Sequence, residues 1–138
     1  MKTTTNIKVR GYHLDGYRHV NNARYLEFME EARWDYLDRI NALGYFHEQN
    51  LAFVIVNITI DYKWPGVQGD VLAIGTEMTE TNNTSFVFTQ TIFNETAGRD
   101  SAIARVTFVL LDQSTGKPVR VTDAARELLT GINLKSTH

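Results

Sequence analysis

Residues 9–36 read VRGYHLDGYRHVNNARYLEFMEEARWDY, and this stretch decides the fold. It opens as a short strand, breaks at Asp15 and Gly16, and resumes as a long apolar-striped segment at Asn21 or Asn22. Apolar residues spaced three and four apart predict a helix over residues 22–40, with an asparagine amide as its N-cap. The apolar positions on this stripe are Tyr25, Phe28, Met29, Ala32, Tyr36 and Ile40.

The sequence on either side of this stretch predicts mainly strands. A first strand is expected over residues 7–12, and Gly44 is expected to end the long helix, with residues 45–50 open to a short helical turn. Asp123 is expected to cap a final helix over residues 124–132. Four further strands are predicted over residues 51–64, 71–80, 84–94 and 101–112.

The predicted order of elements is a strand, a long helix, four strands and a short helix. Short connections between the late strands favour an antiparallel meander. One long apolar helix and about five strands predict an α+β fold in which the sheet wraps over the helix. At 138 residues the chain is expected to form a single domain over 1–138, with its core over about 7–133.

Composition excludes several classes of protein. The sequence has no cysteine, which excludes disulfides, thiolate metal sites and a thiol nucleophile, and which fits a cytoplasmic location. No apolar run is long enough for a membrane span, and no secretory signal is visible at the N-terminus. A net charge of −2 without a Lys/Arg block argues against a nucleic-acid partner.

Asp15 has two interpretations. A turn aspartate ahead of a helix is a very common structural feature. The alternative is chemical, because a helix start presents free N–H groups with partial positive charge, which can bind a carbonyl oxygen as it becomes negative. A nearby carboxylate can then activate water or attack directly, as an ester or thioester hydrolase requires. The polar and aromatic neighbours at this junction are His13, His19, Asn21, Asn22 and Tyr25.

Other chemistries have weaker support in the sequence. His13, Asp15 and His19 supply three candidate metal ligands, but they lie on a turn without a visible fourth ligand, so no metal is predicted. There is no Gly-x-Ser-x-Gly elbow for serine chemistry and no glycine-rich phosphate loop. No cofactor is therefore expected.

The run DGYRHVNNARY over residues 15–25 resembles the D-x-x-x-H-V-N-N-x-x-Y signature of hotdog-fold thioesterases. The chain is similar to the 4-hydroxybenzoyl-CoA thioesterase superfamily and to acyl-carrier-protein thioesterases. The wider match includes KVRGYHLD, AFVIVNITIDY and the strand-end pattern Tyr62-x-x-Pro65-x-x-x-Gly69-Asp70. Together these segments most resemble the bacterial long-chain acyl-CoA thioesterases of the FadM type, over about residues 7–129.

This resemblance implies a hotdog fold, a curved antiparallel sheet around the helix of residues 22–40. It also implies homodimers or homotetramers with active sites at subunit interfaces. By position, Asp15 matches the catalytic carboxylate, and the backbone N–H near Asn22 matches the oxyanion donor. His19 is a third catalytic candidate, with a structural role in the turn as the alternative. Glu30 or Glu31 is an alternative base, because some hotdog enzymes use a helix glutamate.

The implied substrate is an acyl-CoA, whose phosphates require basic residues. Substrate-binding candidates are Asn21, Tyr25, Arg18 and Arg24, with Lys63, Arg99 and Arg105 as further basic residues. Asn21 is also expected as a cap, and Tyr25 as a core residue. An apolar channel for the acyl group is expected from Phe28, Met29, Ala32 and residues 53–60, although the same residues fit the core.

The expected activity is hydrolysis of long-chain acyl-CoA to a fatty acid and CoA. A hotdog enoyl-CoA hydratase or dehydratase is an alternative, although its D-x-N-P-x-H pattern is absent. A non-catalytic acyl-CoA-binding module is a third possibility. Turnover of an enoyl-CoA, or binding without turnover, distinguishes these alternatives.

Overall fold

The structure is a computed structural model that describes residues 1–131. Ile132, the expected last residue of the final helix, lies outside the described residues. The helices are α1 (Asn22–Arg39), α2 (Ala42–Glu48) and α3 (Asp123–Thr130), with a short 3-10 turn at Gly11–His13. The strands are β1 (Lys2–Lys8), β2 (Leu51–Tyr62), β3 (Val71–Thr81), β4 (Ser85–Asn94), β5 (Arg99–Asp112) and β6 (Lys117–Pro118).

All strand pairs are antiparallel and form one curled sheet in the order β1-β3-β4-β5-β2, with β6 added to β5. The expected meander is confirmed for β3, β4 and β5. β2 departs from it, because α1 and α2 carry the chain across the sheet before β2 pairs with β5 rather than with β3. Among residues 1–131, this crossover leaves β2 at an edge of the sheet, paired only with β5, and brings its last residue, Tyr62, opposite Ala102.

The long helix packs on the sheet through the predicted stripe. Met29, Ala32 and Tyr36 are fully buried, and the Tyr36 ring contacts Phe88 edge-on with centroids 5.1 Å apart. Below it, Phe108 stacks on Phe88 at 5.2 Å. The prediction for this helix is confirmed to within one residue, because burial of the stripe and helical periodicity select the same residues.

Three predicted boundaries are wrong. The first strand is β1, whose alternating residues pair with β3, whereas the backbone at 11–13 turns because His13 Nδ1 accepts the Arg10 N–H at 2.9 Å. Gly44 does not end α1, since Asn41 takes a left-handed conformation with φ 58° and starts α2.

The cap of α3 is Thr122 rather than Asp123. The Thr122 hydroxyl accepts the Ala125 N–H at 3.1 Å, and Asp123 becomes the first helical residue, where its charge suits the helix dipole. The helix docks on α1 through a buried hydrogen bond of 2.5 Å from the Tyr36 hydroxyl to the Leu129 carbonyl. This contact ties the C-terminal helix to the central helix.

Candidate active site

The loop before α1 is organised around the Asp15 carboxylate. Asp15 Oδ1 accepts the Tyr17 N–H at 2.8 Å and the His19 N–H at 3.2 Å, and the Asp15 N–H donates to the His19 carbonyl at 2.8 Å. Within residues 1–131, no hydrogen bond or ion pair engages Oδ2. The turn role expected for Asp15 is therefore real, and it leaves one carboxylate oxygen available.

The start of α1 is capped as predicted. Asn21 is the N-cap, and its Oδ1 accepts the Ala23 N–H at 3.0 Å. The Asn22 side chain reaches the same N–H at 3.1 Å, while the Asn22 backbone N–H finds no acceptor in the part of the chain described. From β2, the Tyr62 hydroxyl donates to the Asn22 carbonyl at 3.1 Å and so holds the helix start in place.

The sequence-predicted residues Asp15, His19, Asn22 and Tyr25 line one pocket of about 310 Å³. One more residue of the signature, Val20, lines the pocket, and the rest of the wall comes from the end of β2, the segment after it and β5. These residues are Tyr62, Lys63, Trp64, Pro65 and Ser101. The pocket therefore places a carboxylate and the open N-terminus of a long helix around one small volume, which is the arrangement that acyl transfer to water requires.

Tyr25 forms the buried wall of this pocket. Its phenol oxygen accepts the Gly66 N–H at 2.9 Å, and burial raises the pKa of Tyr25, so that the phenol keeps its proton. Ser101 lies beside it as the extra residue of a β-bulge in β5. The Ser101 hydroxyl is buried beside the Tyr25 phenol. Tyr25 is therefore a core residue, as expected, and it also lines the pocket, while its role in binding substrate stays a prediction.

The remaining predicted residues lie around the pocket rather than in it. The Asn21 amide is used in capping, and Arg18 stands exposed on the loop with φ 64°. Arg24 contacts Glu27 at 3.3 Å and the Tyr12 carbonyl at 3.3 Å. Glu30, an alternative base, lines a separate groove, so among residues 1–131 only Asp15 supplies a carboxylate to this pocket.

His13 is set apart from the polar cluster by burial. Its ring packs against Phe28 at 4.9 Å, and its Nδ1 serves the backbone of Arg10. Burial, and then the charge of Arg24, lower the pKa of His13. Across residues 1–131 no group of His, Cys, Asp and Glu side chains is arranged to hold a metal ion.

A second, larger cavity of about 760 Å³ lies between the C-terminal half of α1, α2 and the start of β2. Phe53 and Ile55, two of the residues predicted to line an acyl channel, line this cavity, whereas Phe28, Met29 and Ala32 belong to the closed core. We call this cavity the apolar groove. Its aromatic and aliphatic wall includes Trp34, Leu37, Phe46, Phe53, Phe88 and Phe108.

A curled antiparallel sheet packed on one long helix is the hotdog fold. The Slr0204 1,4-dihydroxy-2-naphthoyl-CoA thioesterase from Synechocystis shares it, with a TM-score of 0.84 at 18% identity over 96% of this chain and 98% of that chain. In the described part of the chain, no helix has the length and apolar character needed to cross a membrane.

The sequence pattern of the Thioesterase-like superfamily matches residues 9–129, and the chain belongs to this family. It is 47% identical over 125 residues to the long-chain acyl-CoA thioesterase FadM of Escherichia coli K12, which covers 91% of this chain and 95% of that protein. It is 35% identical over 102 residues to the acyl-CoA thioesterase YbgC of Haemophilus influenzae, covering 72% and 74%. The crystal structure of the probable thioesterase YbaW from Escherichia coli superposes with a TM-score of 0.87 at 46% identity, covering 92% and 96%.

Proposed function

We propose that this enzyme hydrolyses acyl-CoA thioesters, preferentially those with long acyl chains, to a fatty acid and free CoA. Its family is a thioesterase family, and its relative FadM is named a long-chain acyl-CoA thioesterase. One observation carries the proposal. The free carboxylate oxygen of Asp15 and the free N–H of Asn22 border the same pocket.

In the proposed reaction, the Asn22 N–H donates to the thioester carbonyl oxygen at the positive end of α1, where negative charge develops. Asp15 takes a proton from water. Alternatively, it attacks the carbonyl carbon itself and expels the CoA thiolate, and water then hydrolyses the resulting acyl-enzyme anhydride to release the fatty acid and regenerate Asp15. In the water route, the new C–O bond forms a tetrahedral intermediate that expels the CoA thiolate. The thiolate then takes up the proton that Asp15 removed. His19 supports Asp15 through its backbone, and Tyr25 offers its phenol proton to the pocket.

The apolar groove supplies a site for a long acyl chain, and its volume lies within the range of about 300–1,000 Å³ usual for ligand pockets. In one chain, however, groove and pocket lie at opposite ends of β2. Ile55 lines the groove and Tyr62 lines the pocket, with about 23 Å of extended backbone between them. A substrate carbonyl held at Asp15 therefore needs a groove from a second copy.

β2 offers the surface for that second copy. It is an edge strand of 12 residues, and it exposes Ile55, Val56, Ile58 and Tyr62. Such an edge readily pairs with another strand. Antiparallel pairing of β2 with its symmetry mate places each groove beside the partner's pocket. We therefore propose a homodimer of single hotdog domains, or a homotetramer built from such dimers. We also propose that the protein works in the cytoplasm, which fits a sequence without cysteine.

The test is release of free thiol from acyl-CoAs of increasing chain length. We expect kcat/KM to rise toward long chains, because longer chains bury more apolar surface in the groove. No thiol release from any acyl-CoA overturns the proposal. In that case, hydration of an enoyl-CoA indicates a hydratase, and a raised Tm with acyl-CoA but no turnover indicates a binding module.

A further inference from the structure

Two cations lie at or beside the Asp15 pocket, and together with the aromatic ring between them we call them the basic rim: Lys63, Trp64 and Arg99. Lys63 and Trp64 line the pocket, and the Arg99 guanidinium stacks on the Trp64 ring with its carbon 3.8 Å from the ring centroid. A cation stacked on an aromatic face is held in orientation, yet its N–H donors stay free at the edges of the plane. The rim thus presents positive charge in a fixed direction.

The backbone ties this rim to the pocket wall. The Lys63 and Trp64 N–H groups both donate to the Ser101 carbonyl, at 2.8 and 3.3 Å. Ser101 is the bulge residue of β5 and itself lines the pocket, and Arg99 precedes it by two positions on the same strand. The rim and the pocket therefore share one rigid support, the end of the β2–β5 pair.

The charges of the rim are available for a ligand. Among residues 1–131, neither Lys63 nor Arg99 takes part in an ion pair. The other candidate cations differ, since Arg24 pairs with Glu27, and Arg105 pairs with Glu80. Arg18 is exposed on the Asp15 loop but does not line the pocket. In a chain of net charge −2, free cations gathered at a pocket mouth favour an anionic ligand.

We propose that the basic rim binds the phosphates of the CoA nucleotide, with Arg99 as the main contact and Trp64 as the residue that positions it. This inference rests on the proposed thioesterase function. A thioester whose carbonyl lies at Asp15 leads its pantetheine arm out through the pocket mouth, and the phosphates follow that arm. Arginine suits them, because its planar fork binds phosphate oxygens through two parallel hydrogen bonds.

The test compares one acyl group carried on CoA and on pantetheine, which lacks the phosphates. Arg99→Ala should raise the KM for acyl-CoA about two- to fivefold, the modest range expected for a partly hydrated ion pair. It should leave kcat, and both constants for acyl-pantetheine, at wild-type values. Trp64→Leu should also raise the KM for acyl-CoA, because Arg99 then loses the ring on which it stacks. Arg99→Lys should restore only part of the wild-type KM, because lysine keeps the charge but lacks the planar guanidinium.

Arg120→Ala is the matched control, since Arg120 is exposed and lies next to Val121, whose N–H bonds Asn83 at the opposite end of the sheet. Added salt should raise the wild-type KM for acyl-CoA and should affect Arg99→Ala less. Unchanged KM in Arg99→Ala, or a rise only in Arg18→Ala, overturns the inference. So does a wild-type preference for acyl carrier protein, whose phosphopantetheine shares one phosphate with CoA. Wild-type protein that cleaves neither thioester refutes the proposed function instead.

Discussion

Replacing Asp15 by asparagine and by alanine separates the two roles that the geometry gives this side chain. Oδ1 holds the loop through the N–H groups of Tyr17 and His19, whereas Oδ2 is free within the described chain. Asparagine keeps an oxygen for the loop, but its amide nitrogen can neither accept a proton from water nor attack a carbonyl carbon. Alanine removes both functions.

The expected magnitudes follow from these contacts. A positioned general base contributes about 10²–10⁴-fold, so both variants should lose kcat by about that factor. The two loop hydrogen bonds of Asp15 are exposed to solvent and together contribute about 1 kcal/mol. Asp15→Ala should therefore lower Tm by about 4 °C in a chain of this size, whereas Asp15→Asn should lower it less.

Thiol release from a long-chain acyl-CoA measures the first effect, and thermal unfolding followed by circular dichroism measures the second. Wild-type turnover by a folded Asp15→Asn protein refutes the assignment of Asp15 as base or nucleophile. An Asp15→Ala protein with the Tm of the wild type shows that the loop does not depend on the carboxylate. Turnover thus tests the catalytic role of Asp15, and Tm tests its role in the loop, so one role can be refuted without the other.

Three further predictions concern stability and assembly. The pKa of His13 in the folded protein lies below its ordinary value of 6.5, so the unfolded chain binds more protons. The contribution of His13 to stability is therefore complete above about pH 6.5 and falls as the pH drops toward the folded pKa. His13→Asn should flatten this part of a plot of Tm against pH. Tyr36→Phe removes the partner that the buried Leu129 carbonyl has within residues 1–131, and it should lower the free energy of unfolding in urea by about 1–3 kcal/mol. Val56→Lys on the edge of β2 should give monomers by light scattering, while Asn6→Lys on the opposite edge should not.

The first prediction is contradicted if the wild type becomes more stable below pH 6. An unchanged urea midpoint in Tyr36→Phe contradicts the second, and intact dimers in Val56→Lys contradict the third. For the histidine, the Asn substitution retains an acceptor for the Arg10 N–H. The His13→Asn variant should therefore lose only part of its stability at neutral pH, whereas it should lose the pH dependence that the imidazole causes.

The parts of the fold that follow from local pattern were predictable. The stripe of Met29, Ala32 and Tyr36 fixes the position of α1, because only a helix places those side chains on one face. The end of that helix was not predictable from Gly44. Asn41 interrupts it in a left-handed conformation, and both asparagine and glycine accept that backbone, so composition alone does not choose between them.

The candidate site divides in the same way. Asp15, His19 and Asn22 were predicted because they are close in sequence and one loop brings them together. Tyr62, Trp64 and Ser101 were missed as pocket residues, because their place depends on the pairing of β2 with β5 across 40 or so positions, a register that no local pattern specifies. The quoted strand-end pattern from Tyr62 to Pro65 was the one signal that pointed to this wall.

The position of the groove at the far end of β2 leads to a prediction about which chain completes each site. Ala52→Phe places a ring in the groove wall, so its homodimer should lose long-chain activity but retain hydrolysis of short acyl-CoAs. The Asp15→Asn homodimer should be inactive on both. If each pocket uses the partner's groove, a mixed dimer of the two variants contains one intact site, formed by Asp15 of one subunit and Ala52 of the other.

Long-chain activity should therefore reappear when the two inactive variants are unfolded together and refolded as a mixture. If pocket and groove instead work within one chain, every mixed dimer carries either a defective carboxylate or a blocked groove at each site. A mixture as inactive as its parents would then show that the acyl chain stays in the subunit whose Asp15 acts on it. The result therefore decides whether the pocket and the groove, which lie at opposite ends of β2 in one chain, serve one substrate within a subunit or across two subunits.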